Sequence, residues 1–352
     1  LFVKIESYNI HYNSSEYFGF LIREPMFALD MGTSFVIILI SFTIIILFGN
    51  RTGIYQLMEN AIRKASVLIE ALPYIRSFRN KVVVIKFGGG AMSNDEVLTS
   101  VLQDIVFMKT VGILPILVHG GGPHISQEMT RRGLSPRFVE GHRITDRETL
   151  EIAKDVLINQ ISASIVKKIS ELGNEAACIW ENGYCPLKAE KYYIETKTDH
   201  GELKKLDIGF VGKVTSVDKD RFLKLCNSCT IPIVPPIAKG TNGDVYNVNA
   251  DNVAAFIARS LGAEKLVFLS NTHGIMTKPN DETSFASTLH EDEVHALIDK
   301  KIISDGMLPK ALACISAVKA GVKKAHIING LIPHALLLEI FTDKGVGTQI
   351  IV

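Results

Sequence analysis

Lys86 stands at the end of an apolar run, Val82 to Ile85, and is followed after Phe87 by three glycines, Gly88, Gly89 and Gly90. A lysine supplies a cation. Glycines, having no Cβ, let bare backbone N–H groups approach a ligand, and the combination suits an anion such as a phosphate. The spacing is not that of the GxxxxGK[ST] loop, because the lysine precedes the glycines. A strand ending in an ordinary Gly-rich turn accounts for this stretch equally well. A second stretch, Ile113 to His124, repeats the arrangement: an apolar run, then Gly120, Gly121 and Gly122, then a helical pattern from Ile125 to Arg132. Two such units about thirty residues apart are what adjacent parallel strands give, with both glycine turns at one carboxyl edge. A ligand spanning both turns becomes the leading reading.

The elements that must hold this ligand are written around it. Four consecutive β-branched residues, Val82 to Ile85, suit a strand buried on both faces. Asp95 to Thr110 predicts a helix, Gly141 to Asp146 leads into a long helix through about Leu172, and Asn174 to Tyr193 holds short strand-like runs around a turn. Gly209 to Val214 is an alternating strand. Ile231 to Ile237 reads as a strand and its exit, its prolines placing it at a sheet border or edge. Asn249 suits the N-cap of a helix over Val253 to Leu261, with Asp251 nearby as an acid complementing the helix dipole. Lys265 to Ser270 is a further buried strand, Glu291 to Lys300 a helix, and Lys310 heads a helix over Ala311 to Ala320. Ala325 to Ile328 and Leu336 to Ile340 supply the last strand and helix signals. The alternation predicts an α/β fold with a mainly parallel sheet covered on both faces. Ahead of it, Gly53 to Phe78 reads as a helical arm that Pro73 is expected to kink or end.

With 352 residues and 47% hydrophobic composition the chain can form one large domain or two. A formal charge of +1 with no basic stripe gives no reason to expect nucleic acid. The five cysteines, at 178, 185, 226, 229 and 314, make no disulfide framework, and a lone CxxC at Cys226 and Cys229 is not expected to hold zinc. A reducing cytosol fits best. The N-terminal extension, 1–50, differs in kind: the twenty residues between Asp30 and Arg51 carry no charge, which makes 31–49 a candidate membrane span. Arg51, Arg63 and Lys64 after it, against Arg23 before it, would keep the globular part in the cytoplasm. The chain begins with Leu1.

Seven segments in order, IKFGGGAM (85–92), VHGGGPHISQEM (118–129), GHRITD (141–146), GFVGKV (209–214), YNVNAD (246–251), SDGMLPK (304–310) and HALLLEIFTDKGVGTQI (334–350), resemble one family closely: the acetylglutamate kinases of the amino-acid kinase superfamily. The resemblance covers roughly residues 65–352. It implies a three-layer αβα sandwich with a mainly parallel sheet, an acceptor-binding lobe over 81–263 and a nucleotide-binding lobe over 264–352. The implied substrates are ATP and N-acetyl-L-glutamate, with Mg2+ held mainly by ATP phosphates and water and no protein residue assigned to the metal. Lys86 and Lys310 would stabilise the transferring phosphoryl group, with Asp251 orienting both. A carboxylate acceptor is already nucleophilic near neutral pH, so Asp251 need not act as a base. Arg143 would grip the α-carboxylate of the acceptor, helped by Gly121, Gly122, Gly141 and Asn247. Gly88, Gly89, Asn271, Gly274, Gly306 and Met307 fall on nucleotide-binding positions.

Leu68 to Ile75 is similar to the arm of the arginine-inhibited branch of that family, whose arms interlace dimers into a hexamer. The arm here is 51–80, and the resemblance implies a homo-hexamer. Tyr74, His326, Glu339 and Gly345 match positions that surround bound arginine there. Three departures stand out: Asn271 where the family usually has aspartate, Cys178 to Asn182 in place of a glycine-rich stretch, and Asn159 to Ser162. The family does not normally carry a membrane span. The competing reading is a membrane-tethered, catalytically silent arginine sensor that keeps the fold and effector site. Lys86, Asp251 and Lys310 together speak against it.

Overall fold

The computed structural model describes residues 58–197, 203–278, 281, 284–304, 306–342 and 345–352. The candidate span 31–49 lies outside the described residues, and among the described residues no helix is long and apolar enough to cross a membrane. Contacts divide the chain into 1–69 and 70–352. In the first unit the described residues, 58–69, are helical and exposed. The helix, α1, spans 58–78 and runs through Pro73 instead of ending there. Pro73 is exposed and Ile69 is 69% exposed, so water can reach the carbonyl that loses its partner one turn back.

The second unit alternates strand and helix as its hydrophobic runs demand. β1 (Val82–Phe87) is buried along its whole length. It is followed by a short 3-10 turn, α2 (Asp95–Thr110), β2 (Leu114–His119), α3 (Gly122–Arg131), and the hairpin of β3 (Phe138–Val139) and β4 (His142–Arg143). α4 (Arg147–Lys154) passes through a π-helical stretch, Asp155–Ser162, into α5 (Ala163–Glu171). Then come β5 (Glu175–Cys178), β6 (Leu187–Lys197), β7 (Leu203–Val217), α6 (Lys219–Asn227), β8 (Thr230–Val234), β9 (Ile237–Gly240) and β10 (Val245–Val248). α7 (Ala250–Leu261), β11 (Lys265–Ser270), β12 (Thr288–His290), α8 (Glu291–Asp299), α9 (Met307–Lys319), β13 (Lys324–Asn329), α10 (Ala335–Ile340) and β14 (Gly347–Ile351) complete the chain.

Eight strands form the central sheet in the order β12-β14-β13-β11-β1-β2-β8-β5. Every neighbouring pair is parallel except β13 with β14. Strand alternation sorts β1 between two cores. Val82 and Val84 pack towards α6, α7, α8 and α9, while Val83, Ile85 and Phe87 pack towards α2, α3, α4, α5 and α10. Lys86 has the parity of Val82 and Val84 and so faces α7. β6, β7, β9 and β10 close into a small separate barrel.

Four further expectations are corrected. β8 is not an edge strand, because β5 lies outside it. The Ile233 carbonyl accepts from Ile179 N–H on the β5 side, so Pro232 faces β2, whose pairing with β8 begins only at Ile233. The proline therefore breaks no ladder bond. α3 starts at Gly122, not near Ile125, and α9 starts at Met307, so Lys310 lies in the first turn and not ahead of the helix. The single long helix expected before Leu172 contains eight π-helical residues.

Candidate active site

The two glycine turns meet because β1 and β2 are parallel neighbours in register, with Phe87 opposite His119. Gly120 N–H donates to the Phe87 carbonyl over 2.8 Å. The backbones then approach so closely that a Cβ on Gly120 would lie 3.1 Å from Gly88 Cα, and one on Gly88 would lie 3.0 Å from Lys86 Nζ. Side chains here would force the turns apart. Gly121 is confined from the other side, where a Cβ would collide with Leu157 of the π-helical stretch.

Three charged groups join these turns. Lys86 Nζ is 2.7 Å from Asp251 Oδ1, and Lys310 Nζ is 3.2 Å from Asp251 Oδ2. Lys310 also donates to the Gly306 carbonyl over 2.9 Å. Burial pushes the Asp251 carboxyl up, but Lys86 and Lys310 outweigh it and hold it below the usual carboxylate range. One carboxylate thus fixes two ammonium groups and leaves a net positive charge. Asn249 caps α7, accepting from Asp251 N–H and Asn252 N–H, which sets Asp251 at the helix start. The first residues of α3 and α7 and the N-cap of α9, Gly306, all reach this place, and the first turns of α3 and α9 carry no acid. Their dipoles add to its affinity for anions.

Arg143 approaches from the β3–β4 hairpin and is 6% exposed. It donates to the Gly122 carbonyl (2.9 Å) and Ser126 Oγ (2.8 Å), and its guanidinium lies over the Phe138 ring at 4.7 Å. Among the described residues no carboxylate pairs with it. The segment that carries it is stitched to β7: Thr145 N–H donates to Ile208, and Phe210 N–H donates to Thr145. Gly209 makes the stitch feasible, since it has φ +84° and a Cβ there would collide with the Thr145 carbonyl. Asn247 of β10 lies beside it, 3.4 Å from Thr145 Oγ1. Lys86, Asp251, Arg143, Asn247 and the glycine turns line one cavity of about 460 Å³.

A cavity with an orienting carboxylate between two lysines, backbone donors and a separate buried guanidinium suits transfer of an anionic group to an anionic acceptor. A sequence model of the amino acid kinase family matches residues 81–329. The chain belongs to the amino acid kinase family. It is a phosphotransferase. The acetylglutamate kinase of Heliobacterium modesticaldum is 42% identical over 294 residues, covering 84% of this chain and 100% of that one. That of Thermoanaerobacter pseudethanolicus is 46% identical over 295 residues, covering 84% of this chain and 95% of that one. Among solved structures, N-acetylglutamate synthase from Neisseria gonorrhoeae complexed with coenzyme A and N-acetyl-glutamate matches with a TM-score of 0.69 at 25% identity, covering 82% of this chain and 63% of that chain.

Of the residues the sequence singled out, Lys86, Gly89, Gly121, Gly122, Gly141, Arg143, Asn247, Asp251 and Gly306 line the cavity of this amino acid kinase. Lys310 is tied to it through Asp251, and Gly88 supports it from behind. Asn271, Gly274 and Met307 are not in the lining. Asn271 is exposed just past the carboxyl end of β11, the same sheet edge as Gly88. Gly274 is buried against Thr348, and Met307 packs against the core. Sequence reasoning missed Phe138, Leu157 and Val211, apolar wall residues whose only signal is tertiary. Among the described residues no cluster of three or more His, Cys, Asp or Glu is arranged to hold a metal.

Tyr74, His326, Glu339 and Gly345 line a second cavity of the kinase, of about 270 Å³. Lys265 shares it, and nothing in the sequence beyond a lysine opening a buried strand marked it. Lys265 Nζ is 2.6 Å and His326 Nε2 3.0 Å from Glu339 Oε1, while Val346 N–H donates to Oε2 over 3.0 Å. Burial, with Lys265 and Lys324 nearby, pulls the His326 pKa down to about 2, so the ring is neutral. Gly345 (φ +59°) lies against the carboxylate, where a Cβ would be 2.7 Å from Oε2.

Proposed function

We propose that this chain is an acetylglutamate kinase, which moves the γ-phosphoryl group of ATP to the side-chain carboxylate of N-acetyl-L-glutamate and gives N-acetylglutamyl 5-phosphate in arginine biosynthesis. The observation that carries this reading is Arg143: a buried cation with no carboxylate beside it among the described residues, in the same cavity as Lys86 and Asp251. A buried charge is expensive unless paired. The acceptor's α-carboxylate supplies that pair, leaving its side-chain carboxylate to reach towards the lysines.

In the reaction two anions must approach, so the site works by neutralisation and alignment. Lys86 and Lys310 take up charge on the transferring phosphoryl oxygens, and Asp251 keeps the two ammonium groups placed while they do so. Each Asp251 oxygen lies within ion-pair distance of a lysine, which leaves the carboxylate committed to placing the two ammonium groups. The donor set is one for phosphates, and Mg2+ arrives on the ATP phosphates with water completing its shell. The acceptor lobe is 81–263 and the nucleotide lobe 264–352, with Asn271, Gly274 and Met307 serving the nucleotide. The second cavity binds L-arginine as a feedback inhibitor, with the arm 51–80 joining dimers into a hexamer.

The test is acceptor-dependent ADP release from ATP and Mg2+ with N-acetyl-L-glutamate, glutamate and aspartate in parallel. Release is expected only with the N-acetylated acceptor, and Lys86→Ala should lower it by roughly 10²-fold or more. Equal release with all three acceptors, or none from folded wild-type protein, would sink the assignment.

A further inference from the structure

Behind the second glycine turn lies a buried histidine that none of the roles above uses. Resting on the phosphoryl-transfer reading, we propose that His119 is a positioning residue for the reaction: with Ser162 fixing its tautomer, it holds the Gly120 carbonyl inward and thereby aims the Gly121 N–H at the transferring phosphoryl group.

His119 is fully buried, and both ring nitrogens are engaged. Nδ1 is 2.8 Å from the Gly120 carbonyl, and Nε2 is 2.7 Å from Ser162 Oγ. These partners decide the tautomer. A carbonyl only accepts, so a bare Nδ1 at that distance would set two lone pairs against each other; Nδ1 therefore carries the proton. A hydroxyl can donate, so Ser162 serves the bare Nε2. Double protonation is excluded near neutral pH, because burial pulls the ring down to about 4, with His124 adding to the effect.

The consequence for the turn follows from peptide geometry. No peptide bond among the described residues is cis, and in a trans peptide the C=O and the next N–H point in opposite directions. Drawing the Gly120 carbonyl towards the ring turns the Gly121 N–H away from it, towards the cavity that Gly121 lines. The clamp thus adds a donor where phosphoryl oxygens pass and removes a carbonyl dipole that would repel them. The π-helical stretch makes the clamp: it supplies Ser162 to the ring, and its Leu157 and Ile161 close on Gly121. Such stretches often mark functional sites.

Two substitutions separate the ring's halves. Asn carries an N–H where Nδ1 lies, and Gln carries its amide out where Nε2 lies. His119→Asn should keep kcat within about threefold of wild type, whereas His119→Gln should lower kcat by roughly 10- to 100-fold with KM for both substrates nearly unchanged, since the lost donor acts in the transition state. Nitrogen-15 NMR of wild-type protein should show the Nδ1–H tautomer between about pH 5 and about pH 9. Equal kcat in the two variants, or an Nε2–H ring, would overturn the inference even if His119→Gln proves too unstable to assay. A fall in the yield of folded protein with matching kcat per folded molecule would reduce His119 to a packing role and overturn it equally. Wild-type protein without acceptor-dependent turnover would sink the phosphoryl-transfer reading and this inference with it.

Discussion

Asp251 is the residue on which the charge balance of the site turns. It is 5% exposed and keeps Lys86 and Lys310 from repelling each other. Asp251→Asn should lower kcat by about 10²-fold or more and destabilise the fold by about 3–5 kcal/mol, the cost of stranding buried charge. Steady-state kinetics and a urea titration read the two effects separately. A second expectation concerns protons. His119 and His326 are held to pKa values of about 4 and about 2, below the ordinary histidine value of about 6.5. The unfolded chain therefore binds more protons than the folded one below about pH 6.5. Their contribution to stability is complete above that pH and is lost as pH falls towards each folded value. Between about pH 6 and about pH 5 each histidine should steepen the loss of unfolding free energy by up to about 1.4 kcal/mol per pH unit, and His326→Asn should remove one share. An unchanged slope would show that His326 titrates normally. At this scale the sequence was legible where a residue sat in a motif, as Lys86, Arg143, Asp251 and Lys310 did. Lys265 escaped, because its partner Glu339 comes from far along the chain.

The stitch between the segment before α4 and strand β7 shows what an element must do for the site. Arg143 is useful only if its hairpin is pinned, and the pin is the pair of backbone bonds around Gly209. Gly209→Ala would place a Cβ into the Thr145 carbonyl at φ +84°. The left-handed backbone alone costs about 1–2 kcal/mol. The expected outcome is an acceptor KM raised by roughly tenfold with a smaller change in kcat, because a displaced Arg143 weakens ground-state and transition-state binding alike. A variant with wild-type KM would show that the hairpin holds itself. β1, β2 and β11 were readable as elements because their apolar runs are longer than any surface segment tolerates. The elements misjudged were those where tertiary context overrides a local rule. Pro73 sits in a helix whose broken bond faces water, Pro232 faces β2 just before pairing begins, and the π-helical winding of Asp155–Ser162 leaves no mark on hydrophobic spacing.

The two cavities sit on different strands of one sheet, towards its opposite edges. Lys265, Lys324 and His326 occupy the starts of β11 and β13, while Lys86 and the glycine turns lie at the finishing edge, about 20 Å away at the usual rise of a six-residue strand. Strand β14 spans the gap by another route. Gln349 lines the second cavity, and its neighbour Thr348 accepts from Ile275 N–H over 2.8 Å and closes on Gly274. A ligand in the second cavity that shifts β14 therefore shifts the turn after β11, on which the proposed nucleotide positions Asn271 and Gly274 lie. In the proposed effector reading, an arginine guanidinium entering there would compete with Lys265 for Glu339, whose other oxygen accepts from Val346 N–H just before β14, and this gives the ligand a route to β14. Linkage then fixes a quantitative relation. If L-arginine weakens binding of a non-hydrolysable ATP analogue by some factor, the analogue must weaken arginine binding by that same factor. Calorimetric titrations in both orders should give matching ratios, of roughly 5- to 150-fold for an ordinary allosteric coupling. Thr348→Val, which keeps the shape but removes the hydroxyl from Ile275, should shrink both ratios together while leaving each ligand's separate affinity nearly intact. A wild-type ratio of one would show that the two cavities act independently.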